Sequence, residues 1–86
     1  MTAESEEGLT LKELLEYLAR ALVDSPDEVR VVATETETTV VLELMVAKDD
    51  VGKVIGKQGR IARALRTIVK ASAVRDGKRA IVEIVD

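Results

Sequence analysis

The sequence predicts an α+β fold, a three-stranded sheet packed against three helices in the order α-β-β-α-α-β. Three observations carry that expectation. Leucines return at helical spacing between residues 11 and 22. A valine- and threonine-rich stretch at 29–47 alternates apolar with other side chains, as extended chain does. Two glycines, Gly56 and Gly59, then separate two helix-like segments ahead of a last apolar run at 79–85. With 86 residues the chain is long enough for one small domain and no more.

The first nine residues are polar and acidic without periodicity, so they read as a disordered acidic tail, with the domain proper at 10–86. Thr10-Leu11-Lys12-Glu13 is a capping box, because the threonine hydroxyl can accept from a free backbone N–H while Glu13 reaches back. Leu11, Leu14, Leu15, Leu18 and Leu22 then lie on one face of a helix at 11–23. Asp24-Ser25-Pro26-Asp27 ends it, since proline cannot continue a helix and disfavours the helical conformation in the residue before it. Two antiparallel strands follow at 29–35 and 39–47, with the turn between residues 35 and 38, although no Asn-Gly or Asp-Gly marks it. Residues 49–55 form a short helix with an aspartate as N-cap, which is the reading given to Asp49 and Asp50. A longer helix spans 60–75, where Ile61, Leu65, Ile68 and Val69 supply an inner face and Ala62, Ala64, Ala71 and Ala73 allow close approach. Arg75-Asp76-Gly77-Lys78 is a turn, and a strand at 79–85 closes the domain.

Composition removes several classes of chemistry. Cysteine and histidine are both absent, so there is no disulfide, no thiolate and no imidazole ligand or base. Tyr17 is the one aromatic residue, so the core is aliphatic. No apolar run approaches the roughly 20 residues that cross a bilayer, and the acidic start is unlike a basic signal peptide. A cytoplasmic protein without a membrane span is expected. The net charge of -3 conceals a split. Residues 1–47 hold three basic side chains against eleven acidic ones, whereas residues 48–86 hold ten against five. A split of that kind points to a polyanionic partner for one face.

The positive charge gathers around Gly56-Lys57-Gln58-Gly59. Glycines there permit a tight turn and a close approach, because no Cβ intervenes. Free N–H groups and the positive end of the following helix make an anion site, to which Lys57 adds a charge and Gln58 hydrogen bonds. Arg60, Arg63, Arg66 and Lys70 recur at spacings that set them along one side of the helix, with Lys53 just before the loop. Such a ridge suits an extended anion better than a single phosphate.

The segment Val54-Ile55-Gly56-Lys57-Gln58-Gly59, followed by Ile61, resembles the signature of the K-homology (KH) domain: an apolar pair, Gly-x-x-Gly with polar or basic residues inside, and an apolar position in the next helix. The element order is similar to the type II arrangement of that family. The phrases LVDSPDEVRV and VEIVD, with the segment at 41–71, look like its small single-domain bacterial members of the KhpA type. The resemblance implies a non-catalytic protein that binds single-stranded RNA, a post-transcriptional regulator or RNA chaperone whose loop grips the backbone of about four nucleotides. By that resemblance Gly56 and Gly59 let the chain approach, Lys57, Gln58 and the N–H groups of Gly59 and Arg60 hold phosphates, and Val54, Ile55 and Ile61 support the bases. Met45 or Val46 forms the opposite wall. Charge alone adds Lys53, Arg63 and Arg66 as flanking phosphate contacts. The resemblance further implies a homodimer, or a heterodimer with a larger KH partner of the KhpB (Jag) type.

Other functions fit less well. The P-loop pattern is absent, and Ser5, Ser25 and Ser72 lack a neighbouring base, so no enzyme and no cofactor are expected. A module that assembles with a protein partner and binds RNA only secondarily is the alternative. Single-stranded DNA is a further candidate ligand, since a backbone grip does not itself read the 2′-hydroxyl.

Overall fold

The computed structural model describes residues 10–85, and the expected acidic tail at 1–9 lies outside them. The capping box forms as its residues dictate: Thr10 Oγ1 accepts from the Glu13 N–H at 3.1 Å, and the Glu13 carboxylate accepts from the Thr10 N–H at 3.0 Å. Helix α1 runs Leu11–Leu22, one residue shorter than expected, because Val23 is already extended while its N–H still reaches the Ala19 carbonyl. Leu15 and Ala19 are buried, Leu11, Leu18 and Val23 pack beside them, and Leu22 is 37% exposed. Pro26–Glu28 forms a single 3-10 turn that leads into the sheet.

Strand β1, Arg30–Glu35, pairs antiparallel with β2, Thr39–Met45. Their turn needs no glycine because a threonine hydroxyl serves instead. Thr36 Oγ1 accepts from the N–H groups of Thr38 and Thr39, and Thr36 N–H donates to the Thr39 carbonyl at 2.8 Å. Strand β2 stops at Met45 rather than at residue 47, since its antiparallel partner begins at Arg30, directly opposite Met45. Strand β3, Arg79–Ile84, lies parallel to β2, so the sheet order is β1-β2-β3 with β2 central. The parallel pairing requires a crossover, and two helices provide it: α2, Val51–Ile55, and α3, Arg60–Arg75.

All three helices sit on one face of the sheet. Val31, Val40, Leu42, Leu44, Ala80 and Val82 point into the core, while Val32 and Ile81 on the opposite face stay exposed. Helix α3 faces inward through Ala62, Leu65, Val69 and Ala73, with Ile61 half-buried. The expected inner face is therefore rotated: Ile68 is 42% exposed, and Ala64 and Ala71 also face solvent. Ala62 and Ala73 win those places because α1 and the sheet press close to α3, and a methyl group fits where an isoleucine does not.

Asp50 holds the N-cap position of α2 but makes no capping hydrogen bond, contrary to expectation. Its carboxylate is buried and turns to the chain after α1 instead. Oδ1 accepts from the Asp24 N–H at 3.2 Å and Oδ2 from the Ser25 N–H at 3.0 Å. One side chain thus ties the end of α1 to the start of the crossover that carries the glycine loop.

Candidate nucleic-acid interface

Helix α2 ends at Gly56, whose φ of 78° and ψ of 174° are accessible in practice only to glycine. A Cβ there would stand 2.6 Å from Ile61 Cγ1 and 2.9 Å from the Ile61 nitrogen. The chain then folds back on the start of α3 through two left-handed residues, Gln58 (φ 58°, ψ 26°) and Gly59 (φ 74°, ψ 16°). A positive φ at glutamine is uncommon, and such conformations gather at functional sites.

The hydrogen bonds of the loop decide which donors face outward. Gly59 N–H donates to the Gly56 carbonyl at 3.1 Å, and Arg60 N–H donates to the Lys57 carbonyl. These two groups, expected to hold phosphates, are thus engaged inside the loop. The N–H groups of Lys57 and Gln58 have no backbone acceptor among the described residues, and both side chains are exposed. The Arg60 guanidinium donates to Gln58 Oε1 at 3.3 Å, which fixes the carboxamide and leaves its NH₂ free. Two backbone donors, an ammonium, a carboxamide and a guanidinium therefore converge at the N-terminus of α3, where the helix dipole adds positive potential.

The two glycines have different stakes. Gly56→Ala meets both a forbidden φ/ψ region and the Ile61 side chain, and is expected to destabilise the fold by about 2–4 kcal/mol. Gly59→Ala meets nothing within 4 Å and carries only the left-handed penalty, about 1–2 kcal/mol. Urea denaturation of the two variants measures the difference, and equal losses would contradict this geometry.

Beneath the loop Val54 is wholly buried and supports it from inside the core. Ile55 and Ile61 are half-buried, so they supply the apolar surface that a base can reach. The ammonium of Lys53 is paired with Asp24 at 3.2 Å and lies 3.7 Å from Asp50. The hydrogen bond and charge of Asp24, with Asp50 behind it, raise the pKa of Lys53 above the ordinary lysine value. Lys53 is thereby directed toward these acids. Arg60 and Arg63 flank an open depression on α3 that also includes Ala64, Thr67 and Ile68. Arg66 lies round the helix, where its Nε donates to the Val82 carbonyl at 3.2 Å on the open edge of β3.

The wall beside α3 is built by β3. Met45 and Val46 are both half-buried, and Val46 packs against the core. Sequence reasoning missed Lys78 and Arg79, which line the α3–β3 groove together with Arg66 and Lys70. The adjacent Lys-Arg pair after Gly77 was the available signal, but only the parallel placement of β3 sets it opposite α3.

The profile of the KhpA/KhpB, KH domain family matches residues 12–84. The chain belongs to this family. It is 57% identical to the RNA-binding protein KhpA of Clostridium acetobutylicum over 75 residues, which is 87% of this chain and all of that protein. It is 55% identical to the KhpA of Aquifex aeolicus over 88% of this chain and 96% of that one. The KhpA of Bacillus subtilis is 47% identical over 88% of this chain and 94% of its own. Proteins of the KhpA/KhpB family are not enzymes, and this member is non-catalytic. Among solved structures, Era from Aquifex aeolicus bound to GDP and aluminium fluoride superposes with a TM-score of 0.66 at 16% identity, over 86% of this chain and 29% of Era. Era in complex with a GTP analogue and nucleotides of 16S ribosomal RNA gives a TM-score of 0.65 at 17% identity, over 90% of this chain and 31% of that one. At that identity the likeness concerns the fold, and it agrees with the type II KH arrangement of the KhpA/KhpB domain.

Proposed function

We propose that this chain binds single-stranded RNA by its backbone at residues 56–59. The observation that carries this reading is the pair of outward N–H groups at Lys57 and Gln58, set in a left-handed turn beside cationic side chains. Phosphate oxygens accept from those N–H groups and from Lys57, with Arg60 and Arg63 alongside. Ile55 and Ile61 lie under the bases. The names of the relatives, RNA-binding proteins all, support the choice of ligand. No aromatic residue offers a stacking platform in this region, so phosphate contacts dominate and sequence preference is modest. RNA binding of this kind suits a cytoplasmic post-transcriptional regulator or RNA chaperone. Weak single modules gain from doubling, which favours a homodimer or pairing with a KhpB-type protein.

Fluorescence anisotropy on a short single-stranded RNA tests this. For about three neutralised phosphates, affinity falls roughly tenfold to twentyfold between about 50 and about 200 mM salt. No binding to several RNA sequences at low salt would refute it. Stronger binding to the matching DNA would shift the ligand instead. A second reading, assembly with a protein partner, is favoured by the uncovered sheet face with Val32 and Ile81 exposed. A solution mass above that of the monomer would support it.

A further inference from the structure

The sheet face opposite the helices carries a charge pattern that the fold does not explain. Its middle row holds Val32, Glu43 and Glu83, one residue from each strand. Val41 and Ile81 stand on one side of that row and Met45 on the other. Because Val31, Leu42, Leu44 and Val82 point into the core, the residues that alternate with them share the outer face. Val32 and Ile81 are exposed there, and Val41 and Met45 are half-buried.

Glu43 and Glu83 are direct partners in the parallel β2–β3 pair, with their strands about 4.8 Å apart. Like charges set opposite each other across two strands destabilise a sheet. Arg30 stands opposite Met45 at one end of the face, yet neither glutamate makes a salt bridge among the described residues. The chain thus holds an acidic pair amid apolar side chains and supplies no cation to it. Three strands of six or seven residues make a face of about 14 by 20 Å. That is roughly a third of the ~800 Å² per partner in a stable protein interface, so it suits a short segment rather than a whole domain. The helices and the glycine loop lie on the other side of the sheet, so a segment bound here leaves the loop open.

We infer that the outer sheet face docks a short basic, amphipathic segment of another protein. An arginine of that segment sits between Glu43 and Glu83, and its apolar neighbours cover Val32, Val41, Ile81 and Met45. A guanidinium presents a fork of donors suited to paired carboxylates, and methionine adapts its shape to what it meets. Apolar cover excludes water from the ion pair, which gives it more weight than an exposed pair has. The inference rests on the reading of the chain as a module that assembles with a protein, and names the chemistry of the partner. It does not depend on the RNA grip.

The probe is a synthetic peptide of about nine residues that alternates leucine and arginine. It is titrated into the full chain at physiological salt, where diffuse attraction is screened, and amide NMR follows the binding. The expected shifts centre on Val32, residues 41–45 and residues 81–84, and leave 56–59 in place. Glu43→Gln with Glu83→Gln should weaken the peptide at least about tenfold. Asp27→Asn with Asp49→Asn removes the same charge from exposed sites off the sheet and should bind as the unaltered chain does. The glutamine pair should also raise the melting temperature by about 2–4 °C, because cross-strand repulsion is gone. Equal weakening by the two pairs means general attraction and overturns the proposal. A lowered melting temperature in the glutamine pair gives the glutamates a structural role and overturns it as well. Sheet-face shifts produced by RNA, or by dilution of the chain alone, would assign the face to RNA or to a second copy instead. A solution mass above the monomer with no peptide shifts on this face would overturn the docking site and leave assembly standing. A monomer that takes up no peptide refutes both.

Discussion

Replacing Lys57 and Gln58 together by aspartate is expected to abolish detectable RNA binding at physiological salt while leaving the fold intact. Both side chains are exposed and neither contributes to the core. Gln58 already has a positive φ, and aspartate is among the residues that tolerate the left-handed region best, so the exchange adds little strain. The electrostatic change is large by comparison. One positive charge becomes negative and a second negative charge appears, both beside the two outward N–H groups. Those carboxylates occupy the donors intramolecularly and repel phosphate. A loss of at least about tenfold follows, equivalent to ~1.4 kcal/mol. Circular dichroism should give the same helix content and melting temperature within about 3 °C, since surface substitutions change stability by roughly 0.5 kcal/mol or less. A folded double variant that still binds with unchanged affinity would remove the loop from the interface.

A loss of stability as large as that at Gly56 is expected at Asp50, which lies outside the loop. In Asp50→Ala the N–H groups of Asp24 and Ser25 lose their acceptor, and Lys53 keeps only Asp24 as partner. Hydrogen bonds to a charged group contribute about 1.5–3 kcal/mol, and both of these are part-buried. A destabilisation of about 2–4 kcal/mol is expected, or a melting temperature lower by roughly 10–25 °C for a domain of this size. Asp50→Asn retains one acceptor oxygen and should lose about half as much. Thermal and urea denaturation of the two variants measure this. The effect extends to function, because Asp50 anchors the segment leading into α2 and hence the position of Gly56. The Ala variant, kept folded at low temperature, should bind RNA more weakly than its intact loop would suggest. A change below about 0.5 kcal/mol would contradict the anchoring role.

The features legible in the sequence are those whose chemistry is local. The Thr10–Glu13 capping box, the stop at Pro26, the alternation through β2 and the glycine turn each involve residues within a few positions of one another. The loop itself was readable for the same reason, since Gly56 and Gly59 announce their positive φ values. What stayed hidden depends on partners distant in the chain. Asp50 reads as a helix cap until Asp24 and Ser25, more than twenty residues earlier, are seen to take its oxygens. Ile68 reads as core because it shares a helix with Leu65, yet the neighbours of α3 choose Ala62 and Ala73. The N–H groups expected to be free at Gly59 and Arg60 are instead engaged, and the free ones lie two residues earlier at Lys57 and Gln58, because internal hydrogen bonds of a 3-10 turn leave no periodic trace. The cationic α3–β3 groove exists only because β3 runs parallel beside β2, and no local pattern encodes that direction.

Amide NMR during titration with a short single-stranded RNA tests the interface most directly. The expected shifts are largest at Lys57 and Gln58, continue through residues 59–63, and weaken in step with added salt. Shifts confined to the uncovered sheet face around Val32 and Ile81, with residues 56–60 unmoved, would contradict the backbone grip and leave the loop a structural turn.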